Sequence, residues 1–335
     1  MLEFNTSQNA ETSTIGLTTG EPDSTARPAA IRSQVYILIQ NARILAKHGE
    51  FQLALNLLRQ ASSYQCHEVI LKDLSHVLIK LERWSEAQKV CEQWHKMSVG
   101  FDSAYCKAQI EYQLGLDEQS LQTYFETLSY VQDTQIELFE IFKNVGNIYV
   151  RKGDFESAEE FYNKAHAVSS QSDILYVNYG ILEMQRGDLN RAKDRFRSAV
   201  NLNPENDKAW VGLAMVHFEF GDEDLGIANL KKALDIAPFN KTAIHFVLQK
   251  MNHRRHAEYV AEVLGNYLEQ EEFDEEISCQ LIQKFYELGR FELALIESHR
   301  LLLWVPEKPE YLKLMQELVQ QNQNINKPAS EKRAS

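Results

Sequence analysis

The sequence predicts an all-α solenoid of about eight stacked helical hairpins, because one residue pattern recurs along it every 33 to 38 residues. The recurrence is strictest in the middle of the chain, where Gly146, Gly153, Ala158 and Ala165 recur 34 residues later as Gly180, Gly187, Ala192 and Ala199. A third copy has Ala214, Gly221, Gly226 and Ala233. A fixed period of this length indicates one supersecondary unit stacked many times, and not a closed globule.

Each repeat contains two amphipathic segments with helical apolar spacing, and a short turn separates them. The repeats start at Val35, Glu68, Phe101, Phe139, Asp173, Asp207, Lys241 and Glu275. Glycine lies in the turn of six of them, at Gly49, Gly115, Gly153, Gly187, Gly221 and Gly289. Because glycine accepts the left-handed backbone that ends a helix, these positions predict where the first helices stop. Asp154, Asp188 and Asp222 follow three of the glycines and are expected to cap the second helices.

The two ends of the chain lack this pattern. Residues 1–33 are rich in Ser, Thr, Glu, Gly and Pro without apolar periodicity, a composition typical of disordered segments.

The longest repeat has its extra residues between Ser129 and Leu138, where we expect a bend or an extended helix. The predicted divisions are a disordered segment over 1–33, three degenerate repeats over 34–138, five clearer repeats over 139–308, a capping helix over 309–322 and a disordered tail over 323–335. The capping helix would cover the apolar face of the last repeat.

The aromatic–Leu–Gly–Tyr–Gly–Ala–Phe–Ala–Pro pattern resembles the tetratricopeptide repeat. Its clearest copy consists of Tyr176, Tyr179, Gly180, Gly187, Ala192, Phe196, Ala199 and Pro204. The resemblance extends from residue 35 to about 308 and is weakest over 241–274, where Leu248 replaces a small residue and the sequence His-Arg-Arg-His at 253–256 replaces the glycine turn. It implies a right-handed α-solenoid of helix-turn-helix repeats whose first helices line a concave groove.

In such a groove, the first helices would present a strongly apolar set of side chains. These are Ile174, Val177, Ile181, Met184, Val211, Met215, Phe218 and Phe246. Since the aromatic, Gly and Ala positions already fill the space between helices, we expect this set to be exposed, and a contiguous exposed apolar patch usually marks an interaction site. A peptide or helix of a partner, a second copy of the chain, and internal packing are the three explanations for it.

A polar pattern accompanies the apolar one. Many tetratricopeptide domains bind a partner's C-terminal carboxylate through five residues, called the carboxylate clamp. Lys143, Asn147, Asn178 and Lys208 occupy four matching positions, and Gly212 stands where the fifth residue would be arginine. Ammonium and amide groups suit this role because they donate charge-assisted hydrogen bonds to a carboxylate. Asparagine is common at both of its positions in the general repeat, so the match depends on the two lysines.

The N-terminal repeats present a more basic set on the same helices. This set is Arg43, Lys47, Lys72, His76 and Lys80. Two interpretations remain open at this point: a surface that meets an acidic partner, and a solvated charged face that contributes little.

Composition excludes several classes of function. A net charge of −13 disfavours nucleic-acid binding, which needs clustered Lys and Arg. The sequence has no glycine-rich phosphate loop, nucleophile elbow, His-Glu-x-x-His or Cys-x-x-Cys motif, so we expect no enzyme, no cofactor and no metal site. No apolar run reaches the roughly 18 residues of a membrane helix, and no hydrophobic signal core begins the chain. Free thiols at all four cysteines fit a cytoplasmic location.

These observations favour an adaptor or scaffold that holds a peptide or an amphipathic helix of another protein in the concave groove. A C-terminal carboxylate is one form that such a ligand could take. The alternative is a structural protein whose groove or array end joins copies of the chain into oligomers.

Overall fold

The computed structural model describes residues 26–130, 135–270 and 273–326. Within these ranges the chain forms seventeen α-helices and one short 3₁₀ turn, and it forms no β-strand. It divides into two compact units, residues 1–133 and 134–335. The fold class is therefore the all-α solenoid that the repeat pattern predicts.

Unit 1 contains three helical hairpins. They are α1 (Ala26–Lys47) with α2 (Phe51–Tyr64), α3 (Glu68–Lys80) with α4 (Trp84–Met97), and α5 (Phe101–Gln113) with α6 (Asp117–Ser129). The two helices of each hairpin pack against each other, and the first helices of successive hairpins are also neighbours. Apolar residues of α1–α5 form one cluster around Leu55, Leu58 and Ile70, all at most 1% exposed.

Unit 2 contains five hairpins and a final helix. The hairpins are α7 (Gln135–Lys152) with α8 (Phe155–Val168), α9 (Asp173–Arg186) with α10 (Leu189–Leu202), α11 (Asp207–Glu219) with α12 (Glu223–Ile236), α13 (Lys241–Lys250) with α14 (Ala257–Gln270), and α15 (Glu275–Glu287) with α16 (Phe291–Trp304). Helix α17 (Pro309–Asn326) packs on α16 over the segment where the sequence places a capping helix.

The turns follow the glycine pattern. All six predicted glycines have left-handed backbone, with φ between 71° and 83°. In the second hairpin, which lacks the glycine, Glu82 adopts the same conformation with φ of 55°. In the seventh hairpin a 3₁₀ turn, Arg254–His256, precedes α14 instead. The predicted caps are confirmed, because the side chains of Asp154, Asp188 and Asp222 each accept a hydrogen bond from a backbone N–H three residues later.

Three predicted boundaries need correction. Helix α17 continues to Asn326, so residues 323–326 are helical and not part of a disordered tail. Helix α1 begins at Ala26, so residues 26–33 are helical and not disordered. These residues are compatible with a helix, since Pro28 lies in the first turn, where no intrahelical N–H bond is required. Helix α7 begins at Gln135, four residues before the expected start of its repeat. Residues 1–25, 131–134 and 327–335, which contain most of the predicted disorder and part of the expected bend, lie outside the described residues.

Candidate functional site

A groove of about 510 Å³ lies in unit 2, between α9 and α11, and extends to the first turn of α13. Its lining consists of Val177, Asn178, Ile181, Phe196, Asp207, Lys208, Val211, Gly212, Met215, Asn240 and Thr242. We call it the α9–α13 groove. Six of the twelve residues proposed from the sequence meet there: Val177, Asn178, Ile181, Lys208, Val211 and Met215.

The apolar members of the groove differ in how much surface they leave open. Ile181 is 42% exposed and Met215 is partly buried, so both side chains remain accessible. Val177 and Val211 are at most 5% exposed, because each also packs into a core cluster that joins its own hairpin to the following one. The expectation that all of these residues are surplus to the core is therefore wrong for the two valines, which form walls of the groove.

The remaining apolar residues proposed from the sequence lie elsewhere. Phe218 and Phe246 pack against the cluster that joins α11 to α15, and a Cβ added at Gly226 of α12 would lie 2.8 Å from the Phe218 ring. Met184 packs against the cluster that contains Val177. Ile174 is 51% exposed but does not line the groove. The two phenylalanines are therefore partly buried against this cluster and do not line the groove.

The carboxylate-clamp pattern is only partly assembled. Lys143 bonds to Glu140 of its own helix and lies 5.7 Å from the centre of the Phe139 ring, which leaves its side chain 13% exposed. Asn147 accepts hydrogen bonds from the Tyr162 hydroxyl at 2.7 Å and from the Asn178 amide at 2.9 Å. These amides therefore join α7 to α9. Neither Lys143 nor Asn147 lines the groove.

The fifth clamp position has no room for a side chain. A Cβ added at Gly212 would lie 2.3 Å from Cε1 of Phe196, and one at Gly180 would lie 2.5 Å from the same atom. The ring of Phe196, which is 1% exposed, thus fills the space between two neighbouring first helices. An arginine at Gly212 would have to displace that ring.

Lys208 is the clamp-like cation that faces the groove. Its side chain is exposed, and it forms no ion pair or hydrogen bond with any residue that the structure describes. Its neighbour Asp207 accepts a hydrogen bond from the Asn240 amide at 2.6 Å. The groove therefore presents one unpaired ammonium group beside a carboxylate that is already hydrogen-bonded.

The sequence reasoning missed the polar end of the groove. Asn240 caps α13, because its Oδ1 accepts from the Ala243 N–H at 3.0 Å, and its Nδ2 donates to Asp207 of the preceding repeat. The same pair occurs one repeat earlier, where Asn206 donates to Asp173 at 2.8 Å. An Asp that starts one repeat and an Asn 33 residues later are visible in the sequence, and their recurrence is the signal that would have located this contact.

The described ranges contain no cluster of three or more His, Cys, Asp or Glu side chains arranged to hold a metal ion. None of the helices in the part of the chain covered by the structure combines the length and hydropathy of a bilayer span.

Comparison with known proteins agrees with this architecture. Two family models of the tetratricopeptide repeat match residues 180–241 and 141–169. The structure is similar to that of a tetratricopeptide repeat protein from Parabacteroides merdae, with a TM-score of 0.60 and 17% sequence identity, over 76% of this chain and 99% of that one. No curated protein sequence matches this chain.

Two further solved structures have lower scores. PilF of Pseudomonas aeruginosa gives a TM-score of 0.47 with 16% identity, covering 65% of this chain and 97% of that one. A chain of the APC/C hetero-tetramer Cut9-Hcn1 gives 0.47 with 14% identity, covering 88% of this chain and 54% of that one. Residues 141–169 and 180–241 therefore match the tetratricopeptide repeat, and the chain shares its fold with the Parabacteroides merdae protein.

Proposed function

We propose that this chain is a non-enzymatic adaptor that binds a segment of a partner protein in the α9–α13 groove. Tetratricopeptide repeat proteins bind other proteins, and the fold supports a scaffold role. The observation that carries the proposal is the groove itself, which combines accessible apolar side chains at Ile181 and Met215 with the unpaired ammonium group of Lys208.

The chemistry of the groove suits a short extended peptide. An apolar side chain placed against Ile181 and Met215 would remove apolar surface from water, which is worth about 1.5–3 kcal/mol for a fully buried side chain. Lys208 would bind a carboxylate or a backbone carbonyl of the same peptide, and this contact would set its register. The ligand carboxylate can belong to a side chain or to a C-terminus, since Gly212 supplies no arginine to select the latter.

Substitution of the accessible apolar residues tests the proposal. We expect Ile181→Glu combined with Met215→Glu to weaken partner capture at least about a hundredfold, because two carboxylates would face the site of the apolar anchor. Capture is measured by crosslinking with the purified chain in extracts, followed by mass spectrometry. Leu225→Glu is the matched control, since Leu225 is 48% exposed on α12 and does not line the groove.

If the double variant keeps its helical circular dichroism and captures the same proteins in the same amounts as Leu225→Glu, the α9–α13 groove does not bind the partner.

Self-assembly is the alternative, and exposed side chains on α16 favour it. Leu293, Ile296 and Leu303 share one side of this helix and are 41%, 66% and 79% exposed. Light scattering over a dilution series separates the two functions. A monomer at micromolar concentration would remove self-assembly, and a dimer that Ile296→Glu dissociates would support it.

A further inference from the structure

A second groove, of about 530 Å³, lies in unit 1 between α1 and α3. We call it the α1–α3 groove. Its apolar lining consists of Ala42, Ile44, Ala46, Phe51, Leu58 and Val77. Ile44 is 55% exposed, so the groove offers an accessible apolar surface of its own. It is made of different residues from the α9–α13 groove, and the proposed function does not use it.

The rim of this groove is positively charged. Arg43, Lys47, His76 and Lys80 line it, together with one carboxylate, that of Asp73. Arg43 Nε donates to Asp73 Oδ2 at 2.7 Å, so these two charges neutralise each other. Within the described residues, the ammonium groups of Lys47 and Lys80 thus remain without a counter-charge at an apolar groove, although the chain as a whole has a net charge of −13.

Those ammonium groups are available to a ligand. Among the residues that the structure describes, the ammonium groups of Lys47 and Lys80 have no partner in an ion pair or a hydrogen bond. Lys72, on the same helix as Lys80, is already paired with Asp102 and lies 5.8 Å from the centre of the Trp94 ring. Of the two lysines on α3, Lys72 is therefore paired within unit 1, and Lys80 lines the groove without a partner among the described residues.

The wall formed by α3 is held in place by its neighbours. The His76 ring packs edge-on against Trp94, with ring centres 6.3 Å apart, and Trp94 is 1% exposed. Burial of part of the ring, and then the nearby Lys72 ammonium, lower the pKa of His76 below its usual value. This shift favours the neutral imidazole, so the positive charge of the rim comes mainly from the lysines. Because this wall is ordered before a ligand binds, binding costs less conformational entropy.

We propose that the α1–α3 groove is a second docking site and that it binds an acidic amphipathic segment of a partner protein. One large apolar side chain of the segment contacts Ile44 and the groove floor, and carboxylates on both sides of it pair with Lys47 and Lys80. Charge complementarity selects this class of partner, because a basic segment would meet two unneutralised ammonium groups.

A peptide of defined composition tests the site with the full chain. The probe is a fluorescein-labelled peptide with a central Leu–Phe pair flanked on both sides by glutamates, and binding is followed by fluorescence anisotropy. We expect the affinity to fall as NaCl rises from about 50 mM to about 300 mM. Lys47→Glu combined with Lys80→Glu should weaken binding at least about tenfold. Lys89→Glu, a charge reversal at an exposed position of α4 that lines neither groove, should leave the affinity unchanged.

Two control peptides separate charge from apolar contact. A peptide with lysine in place of every glutamate should not bind, and one with serine in place of the Leu–Phe pair should bind at least about tenfold more weakly. The proposal is overturned if the lysine peptide binds as tightly as the probe. It is also overturned if Lys47→Glu/Lys80→Glu weakens binding by less than tenfold or if Lys89→Glu weakens it equally.

The same experiment distinguishes two other occupants of the α1–α3 groove. Residues 1–25 contain Glu3, Glu11, Glu21 and Asp23 and no Lys or Arg. If replacing these four by serine in the full chain tightens probe binding at least about tenfold, the chain's own segment occupies the groove and the partner proposal falls. A dimer that Lys47→Glu/Lys80→Glu dissociates would assign the groove to a second copy and would overturn it as well.

Discussion

At the scale of single residues, Gly212 decides how closely two repeats approach. Replacing it by alanine would place a Cβ 2.3 Å from the buried Phe196 ring. Overpacking of this kind costs about 1–3 kcal/mol, whereas the higher helix propensity of alanine returns at most about 1 kcal/mol. We therefore expect Gly212→Ala to lower the free energy of unfolding by about 1–2 kcal/mol, measured by urea denaturation.

Gly265 provides the matched control for this prediction. It also lies inside a helix, α14, but a Cβ added there would meet no atom within 4 Å. Gly265→Ala should therefore raise the free energy of unfolding by up to about 1 kcal/mol. Equal stability of the two variants would show that Phe196 does not fill the space beside Gly212.

Gly212 also shows how much of the candidate site could be predicted from the sequence alone. The missing arginine at Gly212 is visible in the sequence, but its cause is not, because the cause is the ring of Phe196 on a different helix. Phe218 gives the converse case. Its position in the repeat predicts a groove residue, yet the glycine at 226 lets its ring pack on α12 instead. Helix position thus predicts which residues can face the groove, and the sizes of neighbouring side chains decide which of them do.

At the scale of the helix, the Asp–Asn pairs join the start of one repeat to the start of the next. Asn240 performs two tasks, since it caps α13 and donates to Asp207 at the start of α11. Asn240→Asp keeps an acceptor for the cap but places a second carboxylate against Asp207. We expect this variant to lose about 1–2 kcal/mol of unfolding free energy at pH 7, measured by thermal denaturation.

Exchange of the two partners is the control for this loss. Asp207→Asn combined with Asn240→Asp restores one donor and one acceptor, so we expect the double variant to regain most of the lost stability. A double-mutant cycle isolates the interaction from the effect of the cap. If the double variant is no more stable than Asn240→Asp, the contact between the repeats contributes nothing.

The helices themselves were the most predictable part of the fold. Six of the eight first helices begin at the residue where the sequence places a repeat start, because the period, the caps and the turn glycines all indicate the same boundary. The exceptions are α1 and α7, which extend towards the N-terminus. The residues of these extensions have no counterparts in the other repeats. The periodic pattern therefore does not predict where α1 and α7 begin.

At the scale of the whole molecule, each unit has hydrophobic clusters made of its own residues. The clusters of unit 2 include those around Tyr162, Phe196 and Leu264, and all their members lie within α7–α17 or the segments that join these helices. In a stacked array, stability is approximately a sum of repeats and nearest-neighbour interfaces. A fragment that keeps a complete set of hairpins should therefore retain its fold.

Truncation between the units tests this directly. We expect residues 134–335 to unfold cooperatively with helical circular dichroism, because the cut leaves every hairpin from α7 onwards intact. A fragment that starts at Phe155 loses α7, and with it the packing of Gly146 against the Tyr162 ring. That shorter fragment should melt at a clearly lower temperature, since α8 would expose its apolar face to water. If residues 134–335 instead melt without cooperativity, or melt no higher than the shorter fragment, the stability of unit 2 does not reside in its own stacked hairpins.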